Sequence, residues 1–156
     1  MIRITPIKPK RNRLDLRRQQ QAIDAGLQDA ADGAQKDFEA TVATWQHKPK
    51  FTQKKQRDGI LIGTDDEIWK FGDEGTRAHE IRPKRVGKLR FLDSFKAKTR
   101  PGFIGSGSGG ASGSPVFARV VHHPGTAPRG WSKLIRKKWS SRLGPLVQKR
   151  IDEAMR

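Results

Sequence analysis

Apolar residues recur at helical spacing in the N-terminal third of the chain. Across residues 13–46 they lie three or four residues apart after the first step, which places them on one face of an α-helix. Polar residues such as Gln20 and Asp24 fall on the opposite side, and Pro49 ends the pattern. We therefore predict a long helix with the apolar face Leu16, Ile23, Leu27, Ala31, Ala34, Phe38, Val42 and Trp45.

A second helical pattern lies near the C-terminus, where apolar residues recur every four positions. Gly144 and Pro145 fall inside this pattern without changing its phase. Because proline interrupts the hydrogen bonding of a helix, the pattern predicts either one kinked helix or two stacked helices. The apolar face of this segment consists of Trp131, Ile135, Trp139, Leu143, Val147 and Ile151.

The residues between the two helices have the character of short strands. Residues 51–56 and 59–63 flank the dipeptide Asp58-Gly59, which is a strong signal for a β-hairpin. Further strands are predicted over residues 68–71, 79–81, 88–91 and 116–122. These elements indicate an α+β fold in which an antiparallel β-sheet packs with a long N-terminal helix and a C-terminal helix, as one domain over residues 13–156.

Two segments fall outside this regular pattern. Pro6 and Pro9 oppose a helix near the N-terminus, so residues 1–12 are predicted to form a basic extended arm. Residues 96–115 contain a run of glycine and serine that has little apolar area to bury, and they are predicted to form a long flexible loop. Phe103 and Ile104, at the base of this loop, are candidates to anchor it to a neighbouring subunit.

The charge of the chain indicates an anionic partner. Its 33 Lys and Arg outnumber its 16 Asp and Glu, and no acidic residue occurs from Ser94 through Ile151. Such segregation favours nucleic acid, an acidic protein ring or a lipid surface. The low apolar content of 33% predicts a small core that needs partner subunits to cover apolar surface. The candidate partner or DNA contacts are Arg3, Lys8, Lys10, Arg11, Lys96, Lys98, Arg100, Phe103 and Ile104.

Several classes of chemistry find no support in the sequence. The absence of cysteine excludes disulfides, thiolate metal sites and a cysteine nucleophile. No apolar run is long enough to span a membrane, and the N-terminus lacks the apolar centre of a signal peptide. Adjacent strand residues face apart, which argues against a metal site at His122 and His123 and against an acid–base pair at His79 and Glu80. We therefore expect no enzyme activity, no cofactor and no metal.

A set of short motifs, in a fixed order, carries the most specific signal. An aromatic residue at position 71 precedes a Glu-Gly-Thr turn, His79 and an Ile-x-Pro segment, and a His-Pro-Gly turn then leads into the C-terminal helix. This order resembles the tail-completion or neck proteins that join head to tail in long-tailed bacteriophages. The motif positions, which the resemblance implies to be turns and strand positions that determine the fold, are Gly75, Thr76, His79, Ile81, Pro83, Pro124 and Gly125.

The resemblance implies a structural virion protein without catalytic activity. Proteins of this kind form closed rings, commonly hexamers, at the head–tail joint, and they contact the tail terminator, the tail tube and the head-completion or connector ring. The implied location is the neck or proximal tail of the virion, and the host cytoplasm during assembly. The basic segment would meet acidic surfaces of adjacent rings or genomic DNA in the channel. The alternative, which rests on charge alone, is a basic nucleic-acid-binding protein.

One departure from the family pattern leaves the role within the neck open. The family usually has a small residue followed by Asp-Thr-Gly before the sheet, whereas this chain has Lys48-Pro49-Lys50-Phe51 there. The motif residues do not separate tail-completion, tail-terminator and head-closure roles. The ring stoichiometry likewise rests on the resemblance and not on any residue of this chain.

Overall fold

The computed structural model describes residues 15–57, 59–85 and 87–156, and the predicted arm over residues 1–12 lies outside them. The described residues form three helices and three pairs of short antiparallel strands, which confirms a mixed α+β fold. In chain order the elements are α1 (Leu16–Thr41), β1 (Thr52–Gln56), β2 (Gly59–Gly63), α2 (Glu67–Glu74), β3 (His79–Ile81), β4 (Leu89–Lys96), β5 (Gly110–Ala118), β6 (Val121–His123) and α3 (Trp131–Ala154).

Both long helices predicted from the apolar periodicity are present, and they pack against each other in antiparallel orientation. Asp37 contacts Lys138 whereas Asp29 contacts Arg150, so the two helices run in opposite directions. Helix α1 begins after Asp15, whose side chain accepts a hydrogen bond from the backbone of Arg18. Helix α3 is one helix that continues through Pro145, so the alternative of two stacked helices is not observed.

Aromatic rings dominate the core of the subunit. Phe38 on α1 and Trp69 on α2 have ring centroids 5.5 Å apart, and Trp69 lies 5.5 Å from Trp131 on α3. Trp131 is 0% exposed. Thr41 is also fully buried, and it accepts a hydrogen bond from the indole N–H of Trp69 over 3.0 Å. Helices α1, α2 and α3 are therefore held together by packed aromatic rings, and the indole N–H groups of Trp69 and Trp131 have hydrogen-bond acceptors.

The strands form three separate two-stranded sheets, where the sequence predicted one. The hairpin prediction is confirmed, because β1 and β2 pair in antiparallel orientation, with Gln56 opposite Gly59. Strand β3 pairs with β6, which lies about forty residues later, whereas β4 pairs with the next strand, β5, across a long connection. Strands β3 and β6 are three residues long, which leaves too little ladder to recruit a neighbouring pair.

The prediction of a strand over residues 68–71 is wrong, because these residues belong to α2. The side chain of Asp66 accepts a hydrogen bond from the backbone N–H of Trp69 over 2.8 Å and so caps the helix. Gly75 ends it with a φ of 77°. Four residues of alternating type match a strand and a single helical turn equally well, and the capping aspartate decides the outcome.

The predicted flexible loop over residues 96–115 is also shorter than expected. Residues 110–115 belong to β5 and pair with β4, which leaves residues 97–109 as the connection. Ladder hydrogen bonds use the backbone, so a glycine and serine run can pair without an apolar side chain. The register shifts near Gly113, which has a φ of 88°. The strand predicted over 116–122 is divided at Arg119 between β5 and β6.

Candidate functional site

The two halves of the sequence motif, about fifty residues apart in the chain, meet at one point in the fold. The backbone N–H of Thr76 donates to the carbonyl of Thr126 over 3.0 Å, and Thr126 returns a bond of 3.1 Å to Thr76. Thr126 also donates to the side-chain oxygen of Thr76 over 3.0 Å. This bridge forms the base of the β3–β6 pair. The structure therefore brings together the Gly75-Thr76 turn and the Pro124-Gly125 turn.

The glycines of both turns are required by the geometry of the bridge. Gly75 and Gly125 have φ angles of 77° and 89°, in the region that residues with a side chain rarely adopt. A β-carbon on Gly125 would collide with the carbonyl oxygen of Thr76, and one on Gly75 would collide with that of Thr126. Each glycine thus permits the close approach of the opposite strand. Both glycines are therefore required for the backbone bridge between residues 76 and 126.

His79 and His123 face each other across the β3–β6 pair. Their ring centroids are 5.0 Å apart. The Nδ1 atom of His79 lies 2.8 Å from the carbonyl oxygen of Arg77, to which it donates, and the Nδ1 atom of His123 accepts from the backbone N–H of Gly125 over 3.0 Å. The local backbone thus fixes the orientation of both rings. His79 has a role in shaping the turn as well as a position on the strand.

Glu80 and His122 occupy the opposite face of the same pair of strands. Glu80 accepts a hydrogen bond from Arg82 over 2.7 Å, which lowers the pKa of its carboxyl group, and it lies 3.4 Å from His122. The separation of His79 from Glu80, and of His122 from His123, agrees with the strand alternation that the sequence predicted. Within the parts of the chain that the structure describes, no group of three His, Asp or Glu side chains is placed to hold a metal ion.

The remaining motif positions lie further along the same strand. Ile81 is the last residue of β3, where it pairs with Val121 and is partly exposed. Pro83 follows the end of the strand and is half-buried. A proline cannot donate to a ladder, so its position just outside β3 fits the short length of that strand.

The loop residues proposed as partner contacts bind largely to their own subunit. Lys98 donates to the carbonyl of Thr44 over 2.8 Å, and the guanidinium of Arg100 lies 4.6 Å from the ring centre of Phe103. Ile104 packs against the aromatic core, whereas Lys96, at the end of β4, is exposed. Ile104 therefore anchors the loop within the subunit. The N-terminal candidates lie outside the described residues: Arg3, Lys8, Lys10 and Arg11.

Strands β4 and β5 form a ribbon that carries exposed aromatic side chains, and the sequence analysis missed it. Phe95 is 74% exposed and Phe117 is 59% exposed. Alternation along β4 places Phe91 and Phe95 on one face of the ribbon, opposite Val116 and Ala111 of β5, whereas Phe117 pairs with Arg90 on the other face. The alternation of Leu89, Phe91 and Phe95 is a signal that could have extended the strand prediction. We call this pair the aromatic ribbon.

A groove of about 420 Å³ separates the aromatic ribbon from the end of α1. Trp45, Ile68 and Phe95 give it an apolar lining, and His47 and Arg129 lie at its edge. Burial raises the pKa of the Asp66 carboxyl, but the hydrogen bond with His47 and the backbone N–H donors of α2 together outweigh it, so that the pKa is lowered. The groove leaves apolar surface of both the ribbon and the helices open to solvent.

The exposed side of α3 is the second surface that the structure reveals. Lys133, Arg136 and Lys137 project from it, followed one turn later by Ser140 and Ser141. None of the three cations forms an ion pair with any residue within ranges 15–57, 59–85 and 87–156. The basic segment is visible in the sequence, but the fold decides which of its cations share a face and which are neutralised by acidic residues.

Comparison of the chain with family models, with curated proteins and with solved structures finds no match. The likeness to phage neck proteins therefore stays a prediction from the order of the motifs. No helix among the described residues combines the length and the apolar character that crossing a membrane requires.

Proposed function

We propose that the protein is a structural subunit of a phage neck, which assembles as a ring at the head–tail joint. The observation that carries this proposal is the aromatic ribbon, whose side chains project away from the core that holds the subunit together. Large apolar side chains exposed on a paired ribbon are typical of a surface that another molecule covers. Packing within the chain does not explain why the residues at positions 95 and 117 are apolar, because both side chains are largely exposed.

The convergence of the motif residues supports the same function. Thr76 and Thr126 are joined directly, and Gly75 and Gly125 make that contact sterically feasible. Residues that stand in the order expected for neck proteins thus form one local structure. Their role in the proposal is to fix the base of the β3–β6 pair next to the aromatic ribbon.

A ring follows if the aromatic ribbon of one copy packs on a different face of the next copy. Such a contact is heterologous, and it generates a closed ring when its rotation divides a full turn. The candidate for the receiving face is the apolar groove lined by Trp45, Ile68 and the ribbon's own Phe95. Phe117, on the opposite face of the ribbon, would then be the side chain that packs on the groove of the next copy. By the resemblance, the ring is a hexamer that joins the tail terminator or tail tube to head-completion proteins, within the virion.

The test is the oligomeric state of the purified full-length chain. We expect a discrete ring by light scattering after size exclusion and by negative-stain electron microscopy. The double variant Phe95→Ser/Phe117→Ser should be a folded monomer, because both side chains are exposed in the subunit. Leu61→Ser is the matched control, since Leu61 is 55% exposed on β2, away from the ribbon. A wild-type monomer at high concentration, or rings formed equally by the double variant, would contradict the proposal.

The alternative function, a nucleic-acid-binding protein that acts as a monomer, draws on the cations of α3. It differs from the ring in one measurable respect, because it requires no contact between copies. A monomer that binds DNA tightly and in a salt-dependent manner would favour this alternative. A ring, with or without DNA affinity, would favour the neck protein.

A further inference from the structure

We propose that the outer face of α3 binds the phosphate backbone of duplex DNA. The residues of this surface, which we call the α3 basic face, are Lys133, Arg136, Lys137, Ser140 and Ser141. Their spacing of three, four, seven and eight positions places them on one side of a helix. All five are exposed, and together they line a shallow depression of the surface. The proposal goes beyond ring assembly, since a monomer would carry the same face.

Charge is segregated between the two sides of α3. On the side facing α1, Lys138 lies 2.7 Å from Asp37, and Arg150 lies 2.7 Å from Asp29. These acids neutralise the cations with which they pair. The cations of the α3 basic face have no such partner among the residues that the structure describes, so their positive potential extends into solvent.

The two serines of this face have short side chains that do not project from the helix. The hydroxyl of Ser140 donates to the carbonyl of Arg136 over 2.7 Å, and that of Ser141 donates to the carbonyl of Lys138 over 2.9 Å. Both side chains therefore fold back on their own helix. A broad anionic surface can approach the helix closely beside the long lysine and arginine side chains.

The composition of the face favours nucleic acid over an acidic protein. Protein interfaces are depleted in lysine at their centre and depend on buried aromatic or other apolar anchors. The α3 basic face has two lysines and an arginine, and none of its five residues is apolar. Arg136 and Ser140 also border an apolar pocket of about 320 Å³, in which Trp139 is half-buried and donates its indole N–H to Asp37 over 2.7 Å. The apolar surface thus lies at one edge of the face, and its exposed centre favours a polymer with dense negative charge.

A duplex fits better than a single strand for two reasons. Binding of single strands relies on aromatic side chains that stack on bases, and the face offers none. The span from Lys133 to Lys137 is about 6 Å along the helix axis, from the rise of about 1.5 Å per residue. A duplex carries one phosphate per about 1.7 Å of axis when both strands are counted, which is twice the density of one strand, so several phosphates fall within reach of these cations. Contacts of this kind carry no base specificity.

The experiment measures binding of a fluorescein-labelled mixed-sequence duplex by anisotropy, at several salt concentrations. The test variant is Lys133→Gln/Arg136→Gln/Lys137→Gln. The control variant, Lys50→Gln/Lys54→Gln/Lys70→Gln, removes three exposed cations elsewhere and so has the same net charge. If three phosphate contacts are lost, the slope of log K against log salt should fall in magnitude by about 2.7, and affinity at moderate salt should fall about tenfold or more. The control should change affinity less than about threefold.

A second variant and a second ligand complete the test. Ser140→Glu places a negative charge on the face and should weaken binding without removing a cation. Polyglutamate of matched total charge serves as the acidic-protein probe, and we expect it to bind more weakly than the duplex. Equal loss in the test and control variants would overturn the proposal, as would absent binding by the wild type at low salt or preference for polyglutamate. Circular dichroism and the oligomeric state of each variant separate these outcomes from a failure of ring assembly.

Discussion

The protein has a helical body, formed by α1, α2 and α3, and a β-rich arm, formed by β3 to β6 and distinct from the N-terminal segment 1–12. These two regions place their aromatic side chains in opposite ways. In the body, Phe38, Trp69 and Trp131 pack against one another around a buried threonine. In the arm, Phe95 and Phe117 project into solvent from a two-stranded ribbon. The difference indicates that folding stability resides mainly in the body, whereas the exposed rings of the arm contribute little to it. The predictions that follow can break this division.

The largest expected effect is the loss of the central tryptophan of the body. Trp131→Ala should destabilise the subunit by about 3–5 kcal/mol, because it removes a fully buried ring and leaves a cavity. Phe117→Ala is the control in the arm and should change the free energy of unfolding by less than about 0.5 kcal/mol. Urea denaturation of the monomer measures both. Similar losses in the two variants would mean that the ribbon is part of the folding core.

A smaller effect is expected where the two long helices cross. A β-carbon on Gly26 would lie 2.8 Å from the α-carbon of Val147, so Gly26→Ala must push the helix backbones apart. We expect a loss of about 1–3 kcal/mol from this overpacking, which exceeds the gain in helix propensity. Gly144→Ala, on α3, is the control, because no atom beyond its chain neighbours lies within 4 Å of the added β-carbon. Its gain in helix propensity is opposed by crowding against Pro145, so the free energy of unfolding should change by less than about 1 kcal/mol. Thermal denaturation measures both changes, and a stabilised Gly26 variant would disprove the close crossing.

A substitution at the base of the arm is expected to destabilise only the strands next to it. Gly125→Ala requires a residue with a side chain at a φ of 89° and disrupts the bridge to Thr76, at a cost of about 1–2 kcal/mol. Hydrogen exchange should accelerate in β3 and β6, while amides of α1 and α3 keep their protection. Gly87→Ala, which meets no neighbouring atom, is the control. Faster exchange throughout the body would show that arm and body unfold as one unit.

The smallest effect concerns an ion pair on the side of the body. The guanidinium of Arg150 lowers the pKa of the Asp29 carboxyl below its ordinary value of 3.8. A carboxyl group with a lowered folded-state pKa stabilises the fold above that ordinary value, and the contribution disappears as the pH falls through the folded-state pKa. Both side chains are more than a third exposed, so solvent screens the pair and Arg150→Met should lower stability only slightly at neutral pH. The difference from wild type should vanish in acid, and Lys137→Met is the matched control, since Lys137 is an exposed cation of α3 without an ion pair among the described residues.

The body was largely predictable because its signals are local. Apolar periodicity locates α1 and α3, and the Asp-Gly dipeptide locates the first hairpin. Helix α2 was missed because the short apolar run containing Trp69 fits two kinds of element. Its identity depends on the hydrogen bond from the Trp69 backbone to Asp66, which a strand prediction ignores.

The arm was less predictable because its pairings join residues that are distant in sequence. Backbone hydrogen bonds hold the Gly110–Ser114 segment against β4, and composition alone indicates a loop there. The meeting of Thr76 with Thr126 also depends on chain topology, although the motif order indicated that both turns matter. The cations of α3 were visible in the sequence, whereas their division into neutralised and open groups requires knowledge of where Asp29 and Asp37 lie.

The connection between the two ribbon strands has a mechanical consequence. Its Ser106 accepts from the backbone of Thr44 and donates to the carbonyl of Ala40, and Trp131 donates to the carbonyl of Phe103. The backbone N–H groups of Arg129 and Gly130 donate to the carbonyls of Gly72 and Asp73 on α2, which is a second attachment to the body. Two separate attachments oppose rotation of the ribbon about either one, so its orientation relative to the helices is fixed. If copies assemble through the ribbon as proposed, each contact would repeat the same angle between neighbours.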